Sequence, residues 1–457
     1  MLRIITSILF VVQAFVVQAQ LNPVITSFLQ NNSITGRYYV SGNSTAISNG
    51  ILVNCQKVEY SSIYVYVRTT GIPAYPTGPF LDGNPSQATN QAAIFKIPLN
   101  PIANTGTLKP TTAGNIGIFI NGVALFDYRD GVAWNPNTQS LCGGPGNPPC
   151  PGGMGATMDW NRDAIRAEMV GFDCSKAHPA QGNYHHHQNP SAFKLDLNVV
   201  SNICNLYDAD GLYTIDSTQH SPLIGFAYDG FPIYGAYGYK NADGTGDIVR
   251  IKSGYQLRNI TTRTTSPTGS AVTTGPVVST TYPLGYFRED YEFVAHPGQP
   301  DYLDVHNGRF CVTPEYPNGI YCYFATVDAN WNSVYPYVVG PTFYGVYAAS
   351  KVTSVTEPTT TYIPNVTGVN TQIKDALDIN IFPNPSNEFI ALQFNGLNKE
   401  NLKVELYNSA GMLLQQTSIL AGSTNTFLDI RTLYSGNYLI KISGKNSTTT
   451  EQIIITK

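Results

Sequence analysis

Three of the seven histidines in this 457-residue chain stand in one run, GNYHHHQN at 182–189. Near neutral pH imidazole shuttles protons, and as the neutral ring it ligates zinc, copper, iron and nickel. If the run is extended, its side chains alternate between two faces. His185 and His187 then share one face, and Tyr184 and His186 share the other. Imidazoles at i and i+2 can grip one ion, but a stable site needs further donors. His178 and His220 are the expected co-ligands; Asp229, Asp304, His296 and His306 are further candidates. None adjoins the run, so only the fold can gather them. Copper or zinc is the expected ion, and His186 is expected to face solvent. Two other chemistries fit the same residues. His185 or His187 could act as a metal-free general base near Asp229, on a polysaccharide or peptide. Exposed tyrosines could instead serve a non-catalytic carbohydrate- or surface-binding module.

Other motifs carry less. NADGTGD, 241–247, imitates the start of a calcium loop, but Lys252 stands where an EF-hand needs its bidentate glutamate, so calcium is not expected. No glycine-rich phosphate loop opens a helix, and no Gly-x-Ser-x-Gly elbow is present. In SPLIGFAYDGFPIYG, 221–235, the spacing of Gly225, Gly230 and Gly235 suits a tight strand–turn–strand with Asp229-Gly230 at its tip. The chain has seven cysteines. Cys142 and Cys150 flank a short loop, and Cys311 and Cys322 flank a hairpin-like segment; both pairs are disulfide candidates. Cys55, Cys174 and Cys204 remain, and an odd total leaves at least one thiol free, metal-bound or paired outside the chain.

The elements that must position these residues are mostly strands. Segments such as SIYVYVRTT (62–70) are strand-like, and Asn121-Gly122 within GIFINGVALFDY marks a hairpin. One helix is expected, over MDWNRDAIRAEMVG (158–171), with Asp159 as N-cap, Ile165 and Met169 on one face and Gly171 as its stop. The histidine run also belongs to an internal repeat. GFDCSKAHPAQGNYHHH from Gly171 aligns without gaps on GRFCVTPEYPNGIYCYF from Gly308, matching Cys174 with Cys311, Gly182 with Gly319 and Tyr184 with Tyr321. His185 then falls on Cys322 and His187 on Phe324. Two hairpins of similar build, related by pseudo-symmetry in one β domain, are expected.

Composition agrees with an exported β protein. Charged residues are 12 % with a formal net charge of -4, which offers no basic face to nucleic acid or anionic membrane. Tyrosine (30) outnumbers phenylalanine (20), and Gly (41) and Pro (30) are frequent, which favours strands and turns. MLRIITSILFVVQAFVVQAQ has Arg3, an apolar core and Ala19 before Gln20, the pattern of a secretory signal peptide over 1–19. The Thr-rich stretch 258–282 reads as a long loop or edge strands, and 348–377 as an interdomain linker. Short alternating strands recur over 378–457, as in Val404-Glu405-Leu406-Tyr407, and argue for a small β-sandwich.

The central region resembles the YHYH family of secreted bacterial proteins. The resemblance is carried by His178-Pro179, Gly182, the Tyr184-His185-His186-His187 block, His220-Ser221-Pro222, Asp229-Gly230-Phe231-Pro232, Asn307-Gly308-Arg309-Phe310 and Thr313-Pro314-Glu315-Tyr316-Pro317. It spans roughly 110 to 345. His186 stands where the signature has tyrosine, and Val305-His306 replaces the usual acidic–cysteine pair. The outer histidines, His185 and His187, are kept. The resemblance implies a mainly β, sandwich-like domain with few short helices over 111–347, with the β region at 20–110 part of it or packed on it. It names no reaction.

The C-terminal segment resembles the type A sorting domain of the type IX secretion system. Phe382-Pro383-Asn384-Pro385, Ser409-Ala410-Gly411, Leu433-Tyr434-Ser435-Gly436 and the terminal Lys457 carry that likeness. It implies an immunoglobulin-like sandwich, a two-membrane bacterium, handling by the secretion machinery through 378–457, and release or anchoring at the outer-membrane surface.

Overall fold

The computed structural model describes residues 21–43, 45–80, 87–152, 158–190, 215–347, 350–364, 379–394, 400–408, 412–444 and 448–457. The expected leader at 1–19 and Cys204 lie outside the described residues. The chain divides into two compact units, Met1–Ile363 and Pro364–Lys457.

The first unit is built around an eight-stranded sheet. Its strands are β1 (Asn115–Phe119), β2 (Ala124–Phe126), β3 (Ala177–Ala180), β4 (Asn183–His186), β5 (Leu223–Ala227), β6 (Pro232–Tyr234), β7 (Gly308–Cys311) and β8 (Ile320–Phe324). They lie in the order β3-β4-β2-β1-β5-β6-β8-β7. That order is a palindrome in structure. An antiparallel hairpin closes each edge, each hairpin runs parallel to its inner neighbour, and β1 and β5 meet antiparallel at the centre. The central pair can approach because both strands have a glycine there. A Cβ on Gly117 would lie 2.7 Å from the Phe226 carbonyl oxygen, and one on Gly225 would lie 2.6 Å from that of Ile118.

A five-stranded sheet packs beside it, in the order Ser350–Val352, Ala93–Pro98, Tyr64–Thr69, Cys55–Tyr60, Thr360–Tyr362. Val58, Val67, Phe95 and Ile97 of this sheet share one buried core with Ile118, Phe226 and Ile233 of the other. Each such side chain contributes about 1.5–3 kcal/mol on burial. Two of these five strands come from the stretch expected to be linker. Its β-branched threonines and valines suit a pleated edge, and Lys351 and Thr361 pair with Phe95 and Glu59.

The helix is shorter than expected. α1 covers Ala164–Glu168, and its N-cap is Asp163, whose side chain accepts from the Ile165 amide. Residues Asn161–Asp163 are held as strand against Arg129–Asn135, so helix cannot begin at Asp159. Asp159 accepts from the Thr273 amide instead. After Glu168 the chain tightens into a single 3-10 turn, Met169–Gly171, and Met169 is 54 % exposed rather than sharing the buried face of Ile165.

Cys142 and Cys150 form the expected disulfide, and Cys174 is also disulfide-bonded. Cys311 and Cys322 are not; both are buried free thiols, as is Cys55. In the hairpin register Cys311 stands opposite Ile320 and Cys322 opposite Arg309, so the two cysteines are diagonal neighbours. Diagonal backbone positions are ~7–8 Å apart, wider than the usual disulfide span, and the two side chains meet instead as a hydrogen-bonded pair of thiols.

The second unit has two sheets. Strands β9 (Ile379–Phe382), β10 (Phe389–Phe394) and β13 (Asn425–Asp429) form one, in the order β9-β10-β13. The other contains β11 (Leu402–Asn408), β12 (Leu413–Ile419), β14 (Gly436–Ser443) and β15 (Thr448–Ile455), in the order β12-β11-β14-β15. Alternate residues such as Val404, Leu406, Ile440 and Ile442 turn inward to Ile390, Leu392 and Leu428. That is the sandwich the alternation predicted.

Candidate metal centre

The run GNYHHHQN is a buried strand. Gly182 turns the hairpin with φ +83°, and β4 then places its side chains alternately. On one face His186 packs between Tyr184 and Phe119, and its Nε2 lies 2.9 Å from the Tyr75 hydroxyl. It is fully buried, not solvent-facing. Tyr75 comes from the N-terminal region, as do Val53, Ile72 and Ala88, which pack with Tyr184 on this face. Burial pushes the His186 imidazole down to about 3, so it is neutral.

On the other face three histidines converge. His178 stands directly opposite His185 across the hairpin, and His187 follows two residues later. Their donor nitrogens all lie within 4.8 Å of one another. His185 and His187 approach most closely, with 3.1 Å between their Nε2 atoms. Phe126 stacks on His185 at 3.8 Å, and Phe172 meets His178 edge-on at 5.0 Å, which fixes the ring planes.

The fourth donor is one the sequence reading missed. Glu168, the last residue of α1, brings its Oε2 within 3.3 Å of His178 Nε2 and 3.2 Å of His187 Nε2. Both are ion-pair contacts, and among the described residues this buried oxygen has no partner in full hydrogen-bond geometry. The available signal was the lone expected helix a few residues before the repeat, with one carboxylate near its end.

Proton positions sharpen the picture. His185 Nδ1 lies 2.8 Å from the Asn183 carbonyl, and His187 Nδ1 lies 2.6 Å from that of Asp127. A carbonyl only accepts, so both neutral rings carry their proton on Nδ1, an assignment read from the bonding network. In its neutral form each ring therefore has Nε2 as the free donor nitrogen, the atom at which His187 can take a second proton. Burial, then the neighbouring imidazoles of His187 and His178, hold His185 well below its ordinary value. Burial also opposes charge on His187, but the nearby Glu168 carboxylate outweighs it and raises that imidazole. Glu168 itself is held far below the usual carboxylate range, its burial overcome by the approach of His178 and His187.

The distances suit a small ion. With bonds of ~2.0–2.1 Å to imidazole, neighbouring ligands of a tetrahedral zinc stand about 3.3 Å apart. The three short separations here, 3.1, 3.2 and 3.3 Å, lie close to that edge. Three imidazoles and one carboxylate suit zinc or copper. The carbonyl bonds to both Nδ1–H groups are the outer partners that usually orient ligating histidines.

The other candidates lie elsewhere. His220 packs against Tyr234 and Tyr239, with ring centroids 5.2 and 5.0 Å away. His296 stacks on Tyr302. His306 Nδ1 lies 2.8 Å from the Thr342 hydroxyl. Asp229 accepts from the Tyr323 hydroxyl (2.6 Å) and the Gly345 amide (2.8 Å), on the half of the sheet away from the histidine run. It is not a partner for His185 or His187. Asp304 accepts from the Tyr321 hydroxyl.

Comparison with known proteins agrees with this division of the chain. A family described as YHYH protein matches residues 94–336, more than half of the chain. A second, described as secretion system C-terminal sorting domain, matches residues 380–456. No curated protein matches. Among solved structures, a duf3244 family protein with an immunoglobulin-like β-sandwich fold from Bacteroides vulgatus is similar at 15 % identity, over 17 % of this chain and 84 % of that protein, with a TM-score of 0.16.

Proposed function

The chain belongs to the YHYH protein family, and on that premise we propose that it is an exported protein binding one transition-metal ion through His178, His185, His187 and Glu168. The export half of this statement follows from its C-terminal sorting domain, which implies secretion or attachment at the outer-membrane surface. The metal half rests on one observation above all. Two buried Nε2 atoms lie 3.1 Å apart, with the Glu168 Oε2 oxygen 3.2 Å from that of His187 and 3.3 Å from that of His178. Such an arrangement crowds more donor atoms than one proton can join, and a cation shared among them would serve all of them. A proton can join only one pair; a metal ion satisfies three imidazoles and the carboxylate together.

Copper or zinc is the proposed ion. Bound there, it would act as a Lewis acid or, as copper, as a one-electron carrier. His185 and His187 are the inner ligands, since they are the most enclosed. Glu168, with 24 % of its side chain exposed, is the ligand nearest solvent and the one an incoming molecule would displace. Elemental analysis of the full chain, purified without a histidine tag and reconstituted, tests the proposal. About one copper or zinc per chain is expected, with loss in His185→Ala and His187→Ala. Occupancy well below one, or occupancy unaffected by both substitutions, would overturn it.

A further inference from the structure

Behind His187 the core is rich in tyrosine, and metal binding alone makes no use of it. The Asp127 carbonyl that receives the His187 Nδ1–H belongs to the peptide group leading into Tyr128. The Tyr128 ring lies 5.1 Å from Tyr335 and 6.0 Å from Tyr337. Tyr335 in turn lies 5.8 Å from Tyr337 and stacks on Tyr291 at 4.1 Å with only 3° between planes. The Tyr128 and Tyr335 hydroxyls are 3.4 Å apart. Tyr128, Tyr335 and Tyr337 are buried, whereas Tyr291 is partly exposed. Phenylalanine would fill the same space without a hydroxyl to satisfy.

Tyr337 has two further features. Its φ is +71°, in the left-handed region that bulky side chains rarely enter. Such strain persists mostly where function keeps it. Its hydroxyl donates to Asp163 Oδ2 at 2.6 Å. Asp163 is the residue that caps α1, the helix that ends at Glu168. Burial raises the Asp163 carboxyl to about 7, so near neutral pH it can both give and take a proton.

We propose that Tyr128, Tyr335 and Tyr337 form a relay that carries an electron hole from the metal centre, when it holds copper, to Tyr337, with Asp163 as the proton acceptor. The proposal rests on the metal reading above and selects copper from its two ions. A phenol that loses one electron becomes a strong acid, so a hole settles where a base is already bonded to the hydroxyl. Tyr337 is the relay residue with such a base. The oxidant is a peroxide. Hydrogen peroxide takes up two electrons and two protons and becomes two waters. One electron leaves copper(I), giving copper(II). The other leaves Tyr337 along the relay. The phenolic proton of Tyr337 moves to the Asp163 carboxylate, and the protons of the new waters come from solvent. A neutral tyrosyl radical and a protonated Asp163 remain; a one-electron donor of the ascorbate class at the surface returns the electron through Tyr291, and Asp163 returns the proton to Tyr337.

The test uses the full chain in two arms. In the first, protein loaded with copper and reduced with ascorbate is mixed with hydrogen peroxide, freeze-quenched and examined by electron paramagnetic resonance. In the second, metal-free protein is oxidised by a flash-generated ruthenium(III) complex. A tyrosyl signal is expected in both, lost in Tyr337→Phe and shorter-lived in Asp163→Asn. Should Tyr337→Phe not fold, Tyr128→Phe removes the link from the metal centre in the first arm and Tyr335→Phe the link from Tyr291 in the second, each leaving the phenol–carboxylate pair intact. A Tyr337-dependent signal in the second arm alone means that the relay stands and the copper reading fails. No tyrosyl signal in the second arm, or one indifferent to Tyr337 and Tyr335, overturns the relay even if copper binds.

Discussion

The hairpins at the two edges of the eight-stranded sheet are built alike and carry different chemistry. Before the first, the Asp173 amide bonds to the Ala177 carbonyl, and the Asp173 carboxylate accepts from the Tyr184 hydroxyl. Before the second, the Asp304 amide bonds to the Gly308 carbonyl, and the Asp304 carboxylate accepts from the Tyr321 hydroxyl. Lys176 and Asn307 hold φ of +66° and +62° at matching positions, and Gly182 and Gly319 turn the chain at +83° and +79°. The side chains aimed at the neighbouring space differ. His185 faces His178 across one hairpin, and Cys322 faces Arg309 across the other. Phe324 replaces His187. One scaffold therefore serves with or without imidazoles, so folding does not explain why three histidines gather at only one edge.

The largest expected contrast is in metal affinity. His187→Ala should weaken copper or zinc binding by more than the ~10–100-fold typical of residues that merely support a ligand. Cys322→Ala, at the position in the second hairpin that matches His185, should leave affinity unchanged in the same competition titration. Equal losses at the two edges would end the distinction.

Next comes the pH dependence of stability. Burial, only partly offset by the Tyr184 hydroxyl, raises the Asp173 carboxyl to about 6, and burial likewise raises Asp304. The ordinary aspartate value is ~3.9, so the folded state binds more protons between that value and about 6. Stability should fall as pH rises through this window. Asp173→Asn should flatten the urea-unfolding profile by on the order of 2 kcal/mol. An unchanged slope would show that the Asp173 carboxyl is not raised.

Tyr184→Phe and Tyr321→Phe each remove one bond to the matching aspartate and should each cost about 1 kcal/mol. A clear inequality by chemical denaturation would mean that the two edges are less alike than their bonding suggests. The smallest effect is expected from grafting. Cys322→His with Phe324→His supplies two imidazoles to the second hairpin, but Arg309 faces the first of them. No second bound ion should appear by elemental analysis, and its appearance would show that two histidines on this scaffold suffice.

Much of this was legible in the chain itself. Strand alternation placed His185 and His187 together and His186 opposite, because side chains on a strand have no other choice. Asn121-Gly122 marked a real hairpin, and the repeat pointed to two related ones. Its gapless alignment held only from Gly182 onward. The structural counterpart of Gly308 is Ala177, not Gly171, because residues 312–319 form a longer loop than Gln181-Gly182. The Cys174–Cys311 match was therefore a coincidence of spacing.

Tertiary structure decided the rest. Glu168 reaches the histidines only because Asp163 caps a helix of five residues that ends at that carboxylate. His220 and Asp229 belong to the other half of the sheet, which their distance along the chain could not reveal. His186 is buried because the N-terminal region covers it. Sequence determines which residues share a face of one element, since backbone geometry is local. Which faces meet, and which donors complete a site, depends on packing between distant segments, and that is settled only when the sheets close on a common core.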